Sequence, residues 1–129
     1  MLTAREKEEI QESIRLAELK TSGEIRVHID KKCETNPVKK AIDVFNKLKM
    51  HETKQRNGVL IYLSFSDKKL AIIGDQGIND VVPADFWEST KNEMIFRFKR
   101  SEFAQGIIDA VAEAGKQLQH YFPVQIHFV

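Results

Sequence analysis

Five consecutive apolar residues, Val59 to Leu63, form the pattern expected of a strand covered on both faces, as in a sheet sandwiched between helices. Upstream the pattern alternates: Ile25, Val27 and Ile29 are separated by Arg26 and His28 and flanked by Glu24 and Asp30. This predicts a strand with one buried and one polar face, lying nearer an edge. Between the two, Val38, Ala41, Ile42, Phe45 and Leu48 recur at helical spacing behind Asn36-Pro37, a helix opening with Pro at the first helical position. Strand, helix and strand read as one crossover unit, whose usual right hand makes the strands parallel and places Glu24 and Asn57 at the same end of the sheet. A short turn at Ser66-Asp67-Lys68 returns a third strand, Leu70 to Ile73, antiparallel beside the second.

The remaining pattern is helical. Thr3 and Glu6 make a capping box, and Ile10, Ile14 and Ala17 share one face of a first helix until Thr21-Ser22-Gly23 stops it. A third helix starts near Pro83 and buries Phe86, Trp87, Thr90, Met94 and Phe98. A fourth opens at Ser101-Glu102, with Phe103, Ile107, Ala110, Val111, Ala114 and Leu118 on its apolar face. After Phe122-Pro123, Val124, Ile126 and Phe128 alternate with Gln125 and His127 and predict a final strand.

Length and charge narrow the classes. The chain has 129 residues, enough for one domain spanning residues 1–129 and too few for two. Its net charge is +1, and basic and acidic residues alternate along it, so neither nucleic acid nor an anionic bilayer is an expected partner, and a monomer is expected. No apolar run approaches the roughly 20 residues that a membrane-spanning helix needs. The first residues, MLTAREKEEI, lack the apolar core of a secretory signal, and the lone Cys33 excludes an intramolecular disulfide, so a cytoplasmic protein is expected. The Cys-x5-Arg cradle of thiol phosphatases fails because position 39 is Lys, which leaves Cys33 as an incidental loop cysteine.

The segment after the third strand is rich in oxygen donors. Asp75, Asn79 and Asp80, with backbone carbonyls held close by Gly74 and Gly77, suit a hard divalent cation. The alternative is local: Gly77 supplies a positive φ, and Asn79 or Asp80 caps the next helix. The reversal at the hairpin brings Asp75 to the end of the sheet where Glu24 and Asn57 lie, and the Met50 to Arg56 connection passes the same end.

Several stretches, in order, resemble the TPM domain family: Thr21 to Ile25 (TSGEI), Asn57-Gly58-Val59-Leu60, Asp67-Lys68-Lys69, Gly77-Ile78-Asn79 with Val82-Pro83, and Gln105-Gly106-Ile107 with Gly115. No one of these motifs is specific, but the series covers Leu2 to Phe122. The resemblance implies an α/β fold, a three-layer αβα sandwich whose central mixed sheet of about four strands is flanked by helices on both faces. It also implies divalent metal at crossing loops beside the sheet and, from some plant members, acid phosphatase activity. Many bacterial members sit on membrane anchors behind signal peptides, and neither is expected here. Where the family often has Gly-aromatic-Gly followed by Leu-Glu, this chain has Gly74-Asp75-Gln76-Gly77-Ile78-Asn79, so Asp75 stands in for a ligand lost where Asn79 replaces Glu. The implied ligand set is Glu24, Asn57, Asp75, Asn79 and Asp80, for Ca2+ or Mg2+, with no organic cofactor.

Other chemistries have weaker support. His51-Glu52 begins a zincin HExxH motif, but Gln55 occupies the second histidine position. His28 and His127 lack a third soft ligand beyond Cys33. Gly74-Asp75-Gln76-Gly77 matches a GXXG loop only superficially, since Asp75 repels phosphate. No GxSxG elbow or Walker loop is present. Phosphate-ester hydrolysis is still open to a metal held by Asp75 and Glu24, with Arg56 gripping phosphate. The alternative for Arg56 is a solvated charge or a structural ion pair with one of the acids. The favoured expectation is a binding or regulatory module whose crossing loops are stiffened by calcium, with a metal-free interaction scaffold as the third class.

Overall fold

A computed structural model describes residues 2–124. Its elements are α1 (Ala4–Glu18), β1 (Glu24–Asp30), α2 (Pro37–Lys47), a 3-10 turn at Met50–Glu52, β2 (Gly58–Ser64), β3 (Lys69–Gly74), α3 (Gln76–Asn79), α4 (Phe86–Lys99) and α5 (Phe103–Tyr121). The capping box is present: Thr3 Oγ1 accepts from the Glu6 N–H at 3.1 Å, and Glu6 Oε1 accepts from the Thr3 N–H at 2.9 Å. Asn36 caps α2 ahead of Pro37, as its sequence predicts.

The strand order is β1-β2-β3. β1 runs parallel to β2, with Glu24 opposite Gly58, and β3 runs antiparallel to β2, with Gly74 opposite Val59. The crossover and the hairpin therefore form as the sequence predicts. Among the described residues the sheet has three strands, not four. Pro123 makes one isolated antiparallel bridge to Thr21, and the expected strand beyond Val124, with His127, lies outside the described residues.

Strand alternation explains the layers. Ile25, Val59, Ile61, Leu63 and Leu70 face one side, where they pack with Ile10, Met94, Ile107, Val111 and Leu118 from α1, α4 and α5. Leu60, Tyr62 and Ala71 face the other, against Ala41, Val44 and Phe45 of α2. Every residue of β2 is buried, which is why its sequence is apolar at successive positions rather than alternating. No described helix is long and apolar enough to cross a membrane. At the rim of β1, Tyr62 donates to Asp30 at 2.7 Å and stacks on His28. Burial, followed by the Asp30 hydrogen bond, pushes the Tyr62 phenol far above its ordinary pKa.

Candidate functional site

At the end of the sheet where β1 and β2 begin and β3 finishes, the backbone convergence expected from the sequence is present. The Asp75 N–H donates to the Gly58 carbonyl at 2.9 Å, extending the β2–β3 ladder to the loop. Asp75 then caps α3, its carboxylate accepting from the Gln76 N–H at 2.8 Å. The loop expectation is thus corrected: a short helix begins at Asp75, and Asp80 closes it instead of opening the next. Asp85 precedes α4 without a side-chain cap.

Gly77 also has a different role from the one expected. No glycine has a positive φ. Gly77 is helical, and a Cβ there would meet the backbone carbonyls of Gln55 and Arg56 closer than real Cβ atoms approach. The glycine lets two crossing segments touch, a reading the sequence offers only as close backbone approach.

Arg56 is the organising residue. Its Nε and Nη2 donate to Asp75 Oδ2 and Oδ1 at 2.7 and 2.8 Å, the bidentate fork that is stronger than a single contact. The Asp75 side chain is 7% exposed and that of Arg56 50%, so the acid is enclosed while the base reaches it from solvent. Burial alone would push the Asp75 carboxyl up. The Arg56 and Gln76 hydrogen bonds, with the positive charges of Arg56 and His51, outweigh it and hold the carboxyl below its ordinary value. Arg56 adopts φ 52°, a left-handed conformation that costs a side-chain-bearing residue roughly 1–2 kcal/mol.

The other residues of the expected ligand set are partnered separately. Asn57 is 1% exposed; its Nδ2 donates to Ser22 Oγ at 3.2 Å, and Ser22 in turn donates to Gln55 Oε1 at 2.6 Å. With the Ser22 proton committed to Gln55, the amide must present its nitrogen to Ser22, and Asn57 Oδ1 is left buried without a partner. Asn79 Nδ2 donates to the Gly74 carbonyl at 2.8 Å, and its Oδ1 accepts from Trp87 Nε1 at 2.6 Å. Glu24 pairs with Arg26 at 3.4 Å. Asp80 is exposed at the end of α3.

In kind, the enclosed Asp75 carboxylate and the unpartnered Asn57 Oδ1 are oxygen donors of the type a hard cation takes, whereas the Gln55 and Arg56 carbonyls lie against Gly77 and that of Arg56 accepts from the Ile78 N–H at 3.3 Å. In charge they are sparse, since no three His, Cys, Asp or Glu side chains gather among the described residues. Ser22 and Gln55 are the members of this network that sequence reasoning missed. Neither type signals a site by itself, and only the crossover places them 33 positions apart yet in contact.

Comparisons with known proteins agree with this architecture. The family model described as TPM domain matches residues 1–117. The BA42 protein of the psychrophilic bacterium Bizionia argentinensis, solved by NMR, is 50% identical, with a TM-score of 0.87 over 95% of this chain and 85% of that one. The N-terminal domain of a P. gingivalis protein, 15% identical, has the same fold, with a TM-score of 0.74 over 98% of this chain and 83% of that one. No curated protein matches the chain.

Proposed function

The chain belongs to the TPM domain family, and from that premise we propose that it is a non-catalytic module responsive to a divalent cation, calcium in preference to magnesium, through its crossing loops. The observation that carries the reading is the enclosed Asp75 carboxylate held by a solvent-reaching Arg56. A guanidinium is a positive charge in the place a cation would neutralise, and it can leave without being buried elsewhere. Bound there, the cation would supply charge neutralisation to Asp75 and a coordination demand that oxygen ligands satisfy.

The residues that would hold it are Asp75 and Asn57, the latter through its unpartnered Oδ1; the Gln55 and Arg56 carbonyls lie against Gly77 and would have to turn from it to join the set. Asn79, Asp80 and Glu24 would contribute only after giving up or reorienting from their present positions. Calcium tolerates irregular sets of six to eight oxygens, whereas magnesium demands a near-octahedral shell, so the irregular loop favours calcium. With one carboxylate in the set, affinity falls in the weak range, a Kd of about 10⁻⁴–10⁻³ M. Arg56, once released, changes the charge displayed by the loops, which is the signal a partner would read.

Phosphate-ester hydrolysis has less support. Its proposed anion-binding group, Arg56, is engaged with Asp75 through Nε and Nη2. Calorimetric titration with calcium separates the readings. The wild type should bind, Asp75→Asn should lose binding, and Arg56→Gln should bind about tenfold more tightly because the competing charge is gone. Tighter binding by Asp75→Asn, or weaker binding by Arg56→Gln, would overturn the exchange. Calcium-dependent hydrolysis of p-nitrophenyl phosphate that is lost in Asp75→Asn would favour the phosphatase.

A further inference from the structure

The opposite end of the sheet carries a second candidate site that uses none of the residues above. Where β2 ends and β3 begins, the hairpin, α4 and the start of α5 together line a cavity of about 750 Å³, within the range of small-molecule sites. Its floor is Leu63, Phe65, Leu70, Ile95, Phe98 and Phe103. Three of these are aromatic and brace one another: Phe65 meets Phe103 edge-on at 5.5 Å between centroids, and Phe98 meets Phe103 at 5.4 Å. The floor is therefore apolar and fixed in shape.

The walls differ from the floor in one respect. Four lysines, Lys68, Lys69, Lys91 and Lys99, line the cavity, and no acidic residue does, in a chain whose net charge is only +1. Lys69 is committed to the Cys33 and Thr35 carbonyls at 2.7 and 3.0 Å. Among the described residues the other three make no ion pair. Lys68 and Ser101, which also line it, both adopt left-handed backbone, with φ 53° and 60°, so strain is held at this cavity as well as at Arg56.

An apolar floor beneath unpaired ammonium groups is complementary to a ligand with an apolar body and one anionic end. Only two serines offer neutral hydrogen bonds among the lining side chains, and Ser64 is already bonded to Asp67, so the site has little with which to read a base or a sugar. No arginine lines it, so the anionic end is met by ammonium point charges and not by a planar fork, and a singly charged carboxylate is the smallest head that such charges complement. We propose that this cavity binds a small amphiphilic carboxylate, an acyl chain seated on Phe65, Phe98 and Phe103 with its head among Lys68, Lys91 and Lys99.

Amide NMR titration with decanoate, below its micelle concentration, tests the assignment against two controls: decanol, which has the chain without the charge, and acetate, which has the charge without the chain. Decanoate should give saturable shifts at Phe65, Leu70, Ile95 and Phe103, with decanol about tenfold weaker and acetate not saturating. Each exposed ion pair contributes about two- to fivefold, so the Lys91→Gln/Lys99→Gln double variant should weaken decanoate about tenfold and leave decanol unchanged. Both substitutions lie on the surface of α4, and an unchanged amide spectrum elsewhere reports an intact fold. Equal binding of decanol and decanoate, an unaffected double variant, or shifts that fail to saturate would overturn the proposal.

Discussion

Asp75 illustrates how one residue can be legible in sequence while its role is not. An Asp between two glycines after a strand announces a loop of consequence, and its sequence offers two roles, metal ligand or one of the acids that Arg56 could pair with, while the cap is expected from Asn79 or Asp80. The structure has it capping α3 and pairing with Arg56 together. Asp75→Ala should cost about 1–3 kcal/mol, the range for losing hydrogen bonds to a charged group, whereas Asp75→Asn keeps a cap acceptor and should cost less. Because folding lowers the Asp75 pKa below its ordinary 3.8, its contribution is fully present above that value and is lost as pH falls through the lowered one. Urea denaturation at pH 7 and pH 3 should therefore show the stability gap between wild type and Asp75→Asn narrowing at the lower pH; a constant gap would contradict the ion pair's role. Arg56 was legible as a choice between anion site and ion pair, since nothing in a sequence says which acid a long side chain reaches. Asn79 was misleading for a similar reason: its amide oxygen accepts from the indole N–H of the half-buried Trp87, a partner that spacing alone does not locate.

At the scale of elements, the crossover and hairpin were readable because they rest on strong signals: a fully apolar strand, a Pro-capped amphipathic helix and a tight polar turn. α3 was not. A helix of four residues, Gln76–Asn79, is too short to show periodicity, and it is held by what crosses it. Gly77 sits under the Gln55 and Arg56 carbonyls, so Gly77→Ala should displace one crossing segment at a cost of about 1–3 kcal/mol, the usual range for overpacking. Thermal denaturation reads the loss, and amide shifts centred on residues 53–57 locate it. A neutral substitution would mean that the two segments are not in contact. The fourth strand expected after Pro123 rests on residues outside the described set, and among the described residues the sheet that positions both sites has three strands.

Over the whole molecule, the sheet places two unlike sites at its two ends, an ion-paired crossing of loops at one and a lysine-walled apolar cavity at the other. Read along the chain, lysines and acids alternate and predict no local field; folding gathers Lys68, Lys91 and Lys99 because the hairpin tip packs opposite one face of α4. That concentration is a tertiary property, visible only once the topology is known. If calcium binds with a Kd of about 1 mM, 10 mM calcium should stabilise the fold by about 1.4 kcal/mol, a rise of about 3–6 °C in Tm, and Asp75→Asn should abolish the rise. The central claim, that Arg56 yields Asp75 to a cation, is tested most directly by following the Arg56 Nε–Hε signal in a nitrogen-proton NMR spectrum while calcium is added to metal-free protein. The exchange predicts a saturable loss of the hydrogen-bonded Hε signal, accompanied by amide shifts at residues 55–58 and 74–80. An Hε signal that stays in place at saturating calcium, or the absence of any saturable shift at these loops, would contradict it.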